Sequence, residues 1–369
     1  MNPLLNSCVP FFAQRSKMAA AYGERIYFFG GVGSGGTESI QDVSNDLWCF
    51  DTDRLSWSVI QSQADSWPSP RRCAGWIRYG DALILWGGSG VSAGEDPQLR
   101  HTFLNDVWRF SPEAGNWSLI RDTDDHRYSP DPDGSRPAPR YTPVLQSIGK
   151  MLFLFGGYTE DRLGKRKLND AWVWPEGPEG RCFEIRIDGT EGYGQGAMRP
   201  GLRYGTMSAH DERYVYICGG FSDEGDHIDL WRFDPATHEW RLLCSDAADH
   251  QMPEPRYCAA MTRWADSLYL FGGRSRCNPK ANFNDLWCFD LRALKWRRLH
   301  GHRRPHRYDP EADYPAYHAK AASATIGRHW YIWGGEGEHG HVSDFWRFDL
   351  VDHMWQLIQP ARTDDPVFW

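Results

Sequence analysis

Short apolar runs, each closed by two adjacent glycines, recur six times along the chain. The runs read IYFF, LILW, LFLF, YVYIC, LYLF and YIW, and the glycine pairs after them are Gly30-Gly31, Gly87-Gly88, Gly156-Gly157, Gly219-Gly220, Gly272-Gly273 and Gly334-Gly335. Such a run predicts a buried strand, and a glycine pair is typical of a point where the backbone turns or packs closely against a neighbour. The hydrophobic pattern therefore predicts one repeated β unit.

After each glycine pair and a variable loop, an aspartate is followed two residues later by a tryptophan. The six pairs are Asp46/Trp48, Asp106/Trp108, Asp170/Trp172, Asp229/Trp231, Asp285/Trp287 and Asp344/Trp346. Residues at i and i+2 lie on the same face of a strand. We expect the tryptophan to fill the space between neighbouring sheets, and the aspartate to accept hydrogen bonds from a nearby turn.

Five of these tryptophans are followed by a second tryptophan nine residues later. The second members are Trp57, Trp117, Trp240, Trp296 and Trp355. Turn sequences between the two, such as DTDRLS and SPEAGN, predict β-hairpins of constant register. The third unit instead reads WPEGPEGRCFEI, and here we predict that Phe183 takes the place of the second tryptophan.

One further strand precedes each glycine pair and usually opens with arginine, as in PRRCAGWIR and PRYTPVLQ. Each unit then has four strands, and the glycine pairs recur every 53 to 69 residues. The predicted units span residues 13–62, 70–122, 138–189, 201–246, 254–301 and 315–360. Residues 1–12 form an N-terminal segment and residues 361–369 a C-terminal tail.

This combination of a glycine pair, an Asn-Asp-Leu-Trp-like strand and a second tryptophan at fixed distance resembles the Kelch family. The resemblance covers about residues 13 to 360. It implies an all-β fold, a six-bladed Kelch β-propeller with four antiparallel strands per blade around a central channel. We expect a single propeller domain whose two end blades are each complete within their own repeat.

Composition and charge narrow the functional classes. The chain has 41 Lys and Arg against 49 Asp and Glu, a formal net charge of -8, which argues against a nucleic-acid partner. The sequence contains no run of 18 apolar residues, so we expect no transmembrane helix. The N-terminus does not resemble a secretory signal. The nine cysteines are scattered without a CxxC motif. We therefore predict a cytoplasmic monomer.

The loops differ systematically between the two faces of the predicted disc. The loops between strands 1 and 2 and between strands 3 and 4 are short, whereas those on the opposite face are long and variable, which favours recognition there. The arginines that head the innermost strands lie at this long-loop mouth and would attract a carboxylate or phosphate. In Kelch substrate receptors, as the resemblance implies, equivalent arginines touch acidic peptides. Alternatively, acidic loops neutralise them.

The sixth unit departs from the pattern. It carries Tyr317 and His318 where arginine is expected, and its loop GGEGEHGHVSD places Glu336, His339 and His341 within six residues. Carboxylate and imidazole ligands suit iron or zinc, so these three form a candidate metal site. Glu336 also matches the first iron ligand of the plant specifier proteins, a Kelch group, although the later spacing differs. The alternative is an exposed polar loop.

Two functions follow. The first is a binding protein that holds a peptide, a protein segment or a small anionic ligand on the long-loop face. The second is a metal-assisted enzyme of specialised metabolism, a lyase, isomerase or cyclase, with its site at the same mouth. The predicted ligand-binding residues are Arg15, Arg72, Arg140, Arg203, Arg256, Tyr141, Tyr204, Tyr257, Tyr317 and His318.

Overall fold

A computed structural model gives the fold. It describes residues 16, 18–33, 43–61, 66–90, 102–122, 136–161, 164–185, 191–192, 198–245, 251–277, 282–301, 313–337 and 340–360. Every regular element in these ranges is a β-strand, and six antiparallel sheets form a ring. The predicted six-bladed propeller is confirmed.

The strands follow the predicted order of four per blade, except that the innermost strand of blade two is divided into two. Blades one and two contain β1 (Met18–Tyr22), β2 (Arg25–Phe29), β3 (Leu47–Asp51), β4 (Ser56–Ile60), β5 (Arg71–Arg72), β6 (Gly75–Tyr79), β7 (Ala82–Gly90), β8 (Thr102–Ser111) and β9 (Asn116–Arg121). The two parts of the divided strand, β5 and β6, both pair with β7. Blades three and four contain β10 (Val144–Ile148), β11 (Met151–Asp161), β12 (Gly164–Trp174), β13 (Phe183–Glu184), β16 (Met207–His210), β17 (Val215–Phe221), β18 (Asp226–Asp234) and β19 (Glu239–Cys244), with a short parallel pair between them, β14 (Glu191–Gly192) and β15 (Arg199–Pro200). Blades five and six contain β20 (Ala260–Trp264), β21 (Ser267–Phe271), β22 (Leu286–Asp290), β23 (Lys295–His300), β24 (Ala322–Ile326), β25 (His329–Glu336), β26 (His341–Asp349) and β27 (Met354–Gln359).

The innermost strands of the six blades surround the central channel. Each contacts its counterpart in the next blade, and β1 contacts β24, so the ring is closed. The seam between blades one and six is packed with aromatic side chains, including Phe28, Trp57, Trp333 and Phe345. Trp57 Nε1 also donates to Gln359 Oε1 at 3.1 Å. Closure among the described residues therefore needs no strand exchanged between the chain ends.

The glycine pairs join neighbouring blades. The second glycine donates its backbone N–H to the next blade, as Gly31 does to Arg71 O at 3.0 Å and Gly157 to Arg203 O at 3.0 Å. Gly30 has a φ of 64°, and a Cβ there would meet Arg71 O at 2.2 Å. Only glycine tolerates both the left-handed backbone and this close approach. The recurrent pairs are therefore the joints between blades.

A second set of hydrogen bonds runs around the channel. In each blade, the residue two positions before the innermost strand (β6 in blade two) has a φ between 51° and 64°, and it donates its backbone N–H to the corresponding residue of an adjacent blade over 2.7 to 3.3 Å. We call this closed set the backbone hoop; its members are Ser16, Cys73, Thr142, Gly205, Cys258 and Lys320. Five links accept at a backbone carbonyl, and the sixth accepts at Thr142 Oγ1. The hoop crosses every joint, including the seam.

The third hairpin differs from the sequence prediction. Phe183 does not replace the missing tryptophan, because it pairs with Val173 rather than Trp174 and its side chain is 56% exposed. Ile185 and Cys182 pack against the blade cores instead. Shifting a strand by one residue moves each side chain to the opposite face, and the longer turn after Trp174 produces such a shift.

Candidate functional site

The head arginine of the innermost strand is the centre of a buried ionic unit. In blade four, Arg203 donates from Nη1 to Asp229 Oδ1 at 2.6 Å and from Nη2 to Asp229 Oδ2 at 2.9 Å. The same Nη1 donates to Gly219 O at 3.1 Å, and Trp231 Nε1 donates to Asp229 Oδ2 at 2.6 Å. Both charged side chains are fully buried. The unit therefore ties the segment before β16 to β17 and β18 of the same blade.

Three other blades repeat this unit. The pairs are Arg71–Asp106, Arg140–Asp170 and Arg256–Asp285, with the arginine side chain fully buried in each. In blades three and five, burial raises the pKa of the aspartate, but the adjacent arginine outweighs burial and the pKa is lowered overall. The expectation that a nearby turn satisfies these aspartates was wrong, because the arginine of the same blade does so.

Because of these pairs, the head arginines are not available to a ligand at the channel mouth. Arg140, Arg203 and Arg256 do not present free donors there, because aspartates on the same sheets occupy their guanidinium groups. This agrees with the alternative in which acidic residues neutralise the arginines, although Asp170 and Asp229 lie on strands and Asp285 directly precedes β22. In blade two the paired residue is Arg71, so the assignment of Arg72 to this position was wrong. Arg15 lies outside the described residues.

In blade six, His318 occupies the place of the arginine. Its Nδ1 lies 2.7 Å from Gly334 O, and its Nε2 lies 3.2 Å from Asp344 Oδ2, with both side chains fully buried. Trp346 Nε1 donates to the same carboxylate oxygen at 2.6 Å. Asp344 Oδ1 has no hydrogen-bond partner among the described residues, since imidazole offers one donor where guanidinium offers two. Tyr317 is 7% exposed, so the structure places it in the interior beside this histidine.

The stability that His318 contributes to blade six depends on pH. Burial alone would lower the pKa of His318, but the charge of Asp344 and the hydrogen bonds outweigh burial and raise it above its usual value. Protonated His318 therefore stabilises the folded state. This contribution is complete below the unfolded pKa of about 6.5 and is lost as the pH rises through the raised folded value.

We therefore expect the difference in unfolding free energy between the wild type and His318→Gln to shrink as the pH rises. Glutamine preserves a polar side chain but carries no charge at any pH. Denaturant titrations at intervals from about pH 5 to 9 provide the measurement. A difference that stays constant over this range would show that the protonation of His318 does not stabilise the fold.

Above the buried units lies a layer of aromatic side chains on the long-loop face. The structure brings together Tyr141, Tyr204 and Tyr257, which the sequence singled out. The ring centroids of Tyr141 and Tyr204 are 6.0 Å apart, as are those of Tyr204 and Tyr257. Burial raises the pKa of Tyr204 to about 12 and raises those of Tyr141 and Tyr257 as well. These phenols stay protonated near neutral pH, and Tyr141 is partly exposed whereas Tyr204 and Tyr257 are buried.

Sequence reasoning missed the residues that complete this layer. The residue directly after a glycine pair forms a β-bridge with the residue directly after the head arginine, as in Tyr141↔Tyr158, Tyr204↔Phe221 and Tyr257↔Arg274. The Tyr158 and Phe221 rings lie 5.4 and 5.6 Å from the Tyr204 ring. The sequence could have marked these residues, because the position directly after each glycine pair varies from blade to blade while the pair itself is constant.

Two arginines beside the aromatic layer form no ion pair with a described residue, namely Arg72 and Arg276. The Arg276 guanidinium lies 5.1 Å from the Phe221 ring, and the side chain is exposed. Arg72 lies near Tyr141, where its charge opposes the rise in pKa that burial causes. We call Arg72, Arg276 and the rings of Tyr141, Tyr204, Phe221 and Tyr257 the aromatic-basic surface.

A carboxylate in blade four fixes the loop that carries Arg276. Asp226 Oδ2 accepts hydrogen bonds from Ser275 Oγ at 2.6 Å, Arg276 N at 2.8 Å and Cys277 N at 3.0 Å. These bonds hold the backbone, whereas the Arg276 guanidinium is hydrogen-bonded to the neutral Tyr257 hydroxyl, which leaves its positive charge for an external partner. The aromatic-basic surface can therefore combine stacking with hydrogen bonding to an anion.

The residues proposed to bind a metal are engaged differently. Glu336 accepts from Arg274 Nη1 at 2.5 Å and from Lys320 Nζ at 2.9 Å, so each carboxylate oxygen already faces a cation. His341 lies on β26, and His339 lies outside the described residues. Among the residues that the structure describes, no group of three or more His, Cys, Asp or Glu side chains is arranged around a metal position. Glu336 thus fits a structural ion-pair role better than iron or zinc ligation, and the metal site stays a prediction.

The fold and the repeated Gly-Gly, Arg–Asp and Trp positions define a Kelch-type propeller. The chain belongs to the Kelch-repeat family, since the model of the KLHDC2/KLHL20/DRC7 Kelch-repeats domain matches residues 9–130, 119–300 and 195–367. Within the described residues, no helix is long and apolar enough to cross a membrane.

Three relatives show the range of this family. The chain is 23% identical to human Kelch domain-containing protein 3 over 356 residues, which is 91% of this chain and 81% of the relative. It is 24% identical to the Leucine-zipper-like transcriptional regulator 1 homolog of Drosophila melanogaster, covering 94% of this chain but 32% of that protein. It is 21% identical to N-(sulfonatooxy)prop-2-enimidothioate sulfolyase of Thlaspi arvense, covering 76% of this chain and 78% of that enzyme.

Proposed function

We propose that the protein binds an anionic peptide or protein segment on the aromatic-basic surface. The observation that carries this proposal is that Arg72 and Arg276, near opposite ends of a continuous layer of rings, form no ion pair with a described residue. Tyrosine and arginine are the residue types that most often dominate the energy of protein interfaces. The similarity to Kelch domain-containing proteins supports a protein-binding role.

The surface also favours a peptide over a monatomic anion. The rings extend across blades three to five. Tyr141 and Phe221 are partly exposed and can stack against an extended segment, whereas Tyr204 and Tyr257 are 8% and 3% exposed and support them from beneath. Glu336 is neutralised by Arg274 and Lys320, and Asp223 is paired with Lys167. The charge left for a ligand is therefore positive, although the chain as a whole is acidic.

A peptide-display selection on the immobilised protein tests this function. We expect enrichment of sequences rich in Asp and Glu. For a selected peptide, Arg276→Gln should weaken binding by about 1.5–3 kcal/mol, since it removes a charged hydrogen-bond donor. Isothermal titration calorimetry at two ionic strengths measures the change, and the loss should be smaller at high salt because exposed charges are screened.

The matched control is Arg54→Gln, an exposed arginine in a tight turn on the opposite face. It should leave the affinity unchanged. The proposal is contradicted if the selection enriches no acidic sequence, or if Arg72→Gln and Arg276→Gln both bind the selected peptides as the wild type does.

A further inference from the structure

The central channel contains a cavity on the side away from the aromatic-basic surface. Its volume is about 470 Å³, within the range of sites that hold small organic molecules. All six innermost strands contribute to its wall, from residues in the middle and at the tight-turn ends of those strands. The wall is therefore built by the strands of the propeller rather than by its loops.

The cavity wall carries positive charge only. Arg78 and Arg263 line it, together with His210, and none of the described lining residues is Asp or Glu. Arg78 and Arg263 occupy the same position on their strands, one residue before the tight turn, in blades two and five. In a ring of six blades, the second and fifth face each other. The two guanidinium groups therefore come from opposite sides of the channel.

Each of these two guanidinium groups has N–H donors that are not bonded to a described residue. Arg78 Nε donates to Gly80 O at 3.1 Å, and Arg263 Nε is buried without a hydrogen-bond partner among the described residues. Neither arginine forms an ion pair with a described carboxylate. Asp211 lies close enough to Arg263 to feel its charge, but its oxygens accept from Arg213 N, Tyr214 N and Tyr216 Oη over 2.6 to 2.8 Å. These donors occupy the Asp211 oxygens, so Asp211 offsets part of the charge of Arg263 but leaves its guanidinium donors for the cavity.

Polar side chains line the wall between the two arginines. Gln146 Nε2 donates to Ser208 Oγ at 2.9 Å, which leaves the Ser208 hydroxyl proton for another acceptor. Thr262 and Thr325 share one hydrogen bond at 2.8 Å, so one of their two protons is also left over. Donors without a matching number of acceptors are what an anion requires.

We propose that this half of the channel binds a compact organic dianion whose carboxylate or phosphoryl groups reach Arg78 and Arg263 on opposite walls. Two cations on opposite sides favour a ligand with an acidic group at each end. A cavity lined by one sign of charge also concentrates such a ligand. This site is separate from the aromatic-basic surface and does not depend on the function proposed for it.

Titration calorimetry of the whole chain with succinate, citrate and inorganic phosphate at low salt tests the proposal. We expect saturable one-to-one binding of succinate or citrate, and weaker binding of inorganic phosphate, which has only one acidic group. Arg78→Gln and Arg263→Gln should each weaken it by about tenfold. Arg263→Lys should retain part of the affinity, because it keeps the charge but loses the planar fork of donors.

Arg276→Gln, on the aromatic-basic surface, is the control and should bind the probes as the wild type does. Thermal melts of every variant confirm folding, and Arg78 is exposed, so its replacement leaves the core intact. Absence of saturable binding by succinate and citrate up to about 10 mM would overturn the proposal. So would equal affinities of the wild type and the folded Arg78→Gln variant. Neither result bears on acidic peptides bound at the opposite face.

Discussion

Arg203→Ala is expected to destabilise the protein by about 3–5 kcal/mol, because it leaves a buried carboxylate without its counter-ion. Arg203 and Asp229 are both fully buried, and the arginine satisfies both carboxylate oxygens as well as the carbonyl of Gly219. The loss therefore exceeds that of one hydrogen bond. It should appear as a lower denaturant midpoint at neutral pH.

Two comparisons make this result specific to the buried pair. Arg54→Ala removes an exposed arginine and should change stability by less than about 0.5 kcal/mol. Arg203→Met/Asp229→Leu removes both charges and should be less harmful than Arg203→Ala, since no charge is left buried. If Arg203→Ala unfolds at the wild-type midpoint, the buried ionic unit does not stabilise the blade.

Trp231→Ala should cost about 3–5 kcal/mol of stability as a large-to-small change in the core. Trp231 is 1% exposed, and its Nε1 donates to Asp229 Oδ2, so the substitution creates a cavity and also removes a donor from a buried carboxylate. A thermal melt or a denaturant titration measures the loss. An unchanged midpoint would contradict the assignment of this strand to the blade interior.

The equivalent position of blade one offers a matched control. Trp48 is only partly buried, and Asp46 beside it is exposed, so Trp48→Ala should cost less than Trp231→Ala. Because Arg203 and Trp231 share one carboxylate, their two substitutions should not add when combined. The difference between the sum and the double variant measures the coupling within one buried unit.

The architecture could be predicted because its constraints repeat. A glycine pair is required wherever a neighbouring backbone comes within contact distance, and Gly30 shows why no side chain fits. The tryptophans at fixed spacing set the register of each hairpin. Prediction failed at Phe183, where a longer turn shifts the register by one residue and exposes the ring. A sequence pattern does not show such a shift when the turn itself has no counterpart in the other blades.

The candidate site was only partly predictable, for a different reason. Tyr141, Tyr204 and Tyr257 were found because they follow a recurrent arginine. The sequence did not show whether the charge of this arginine is neutralised, because that depends on which aspartate comes within hydrogen-bond distance after folding. Arg276 had no repeated position to mark it, and its importance arises from a contact between blades through Asp226. Pairing across blades is a property of the ring, not of one repeat.

The backbone hoop also has a consequence for the entropy of association. Thr142, Gly205 and Cys258 belong to it, and each directly follows a tyrosine of the aromatic-basic surface. The main chain beneath these rings has therefore lost its freedom when the protein folds, before any partner arrives. A docking peptide would have to order itself but not the receptor, which leaves more of the contact energy as affinity.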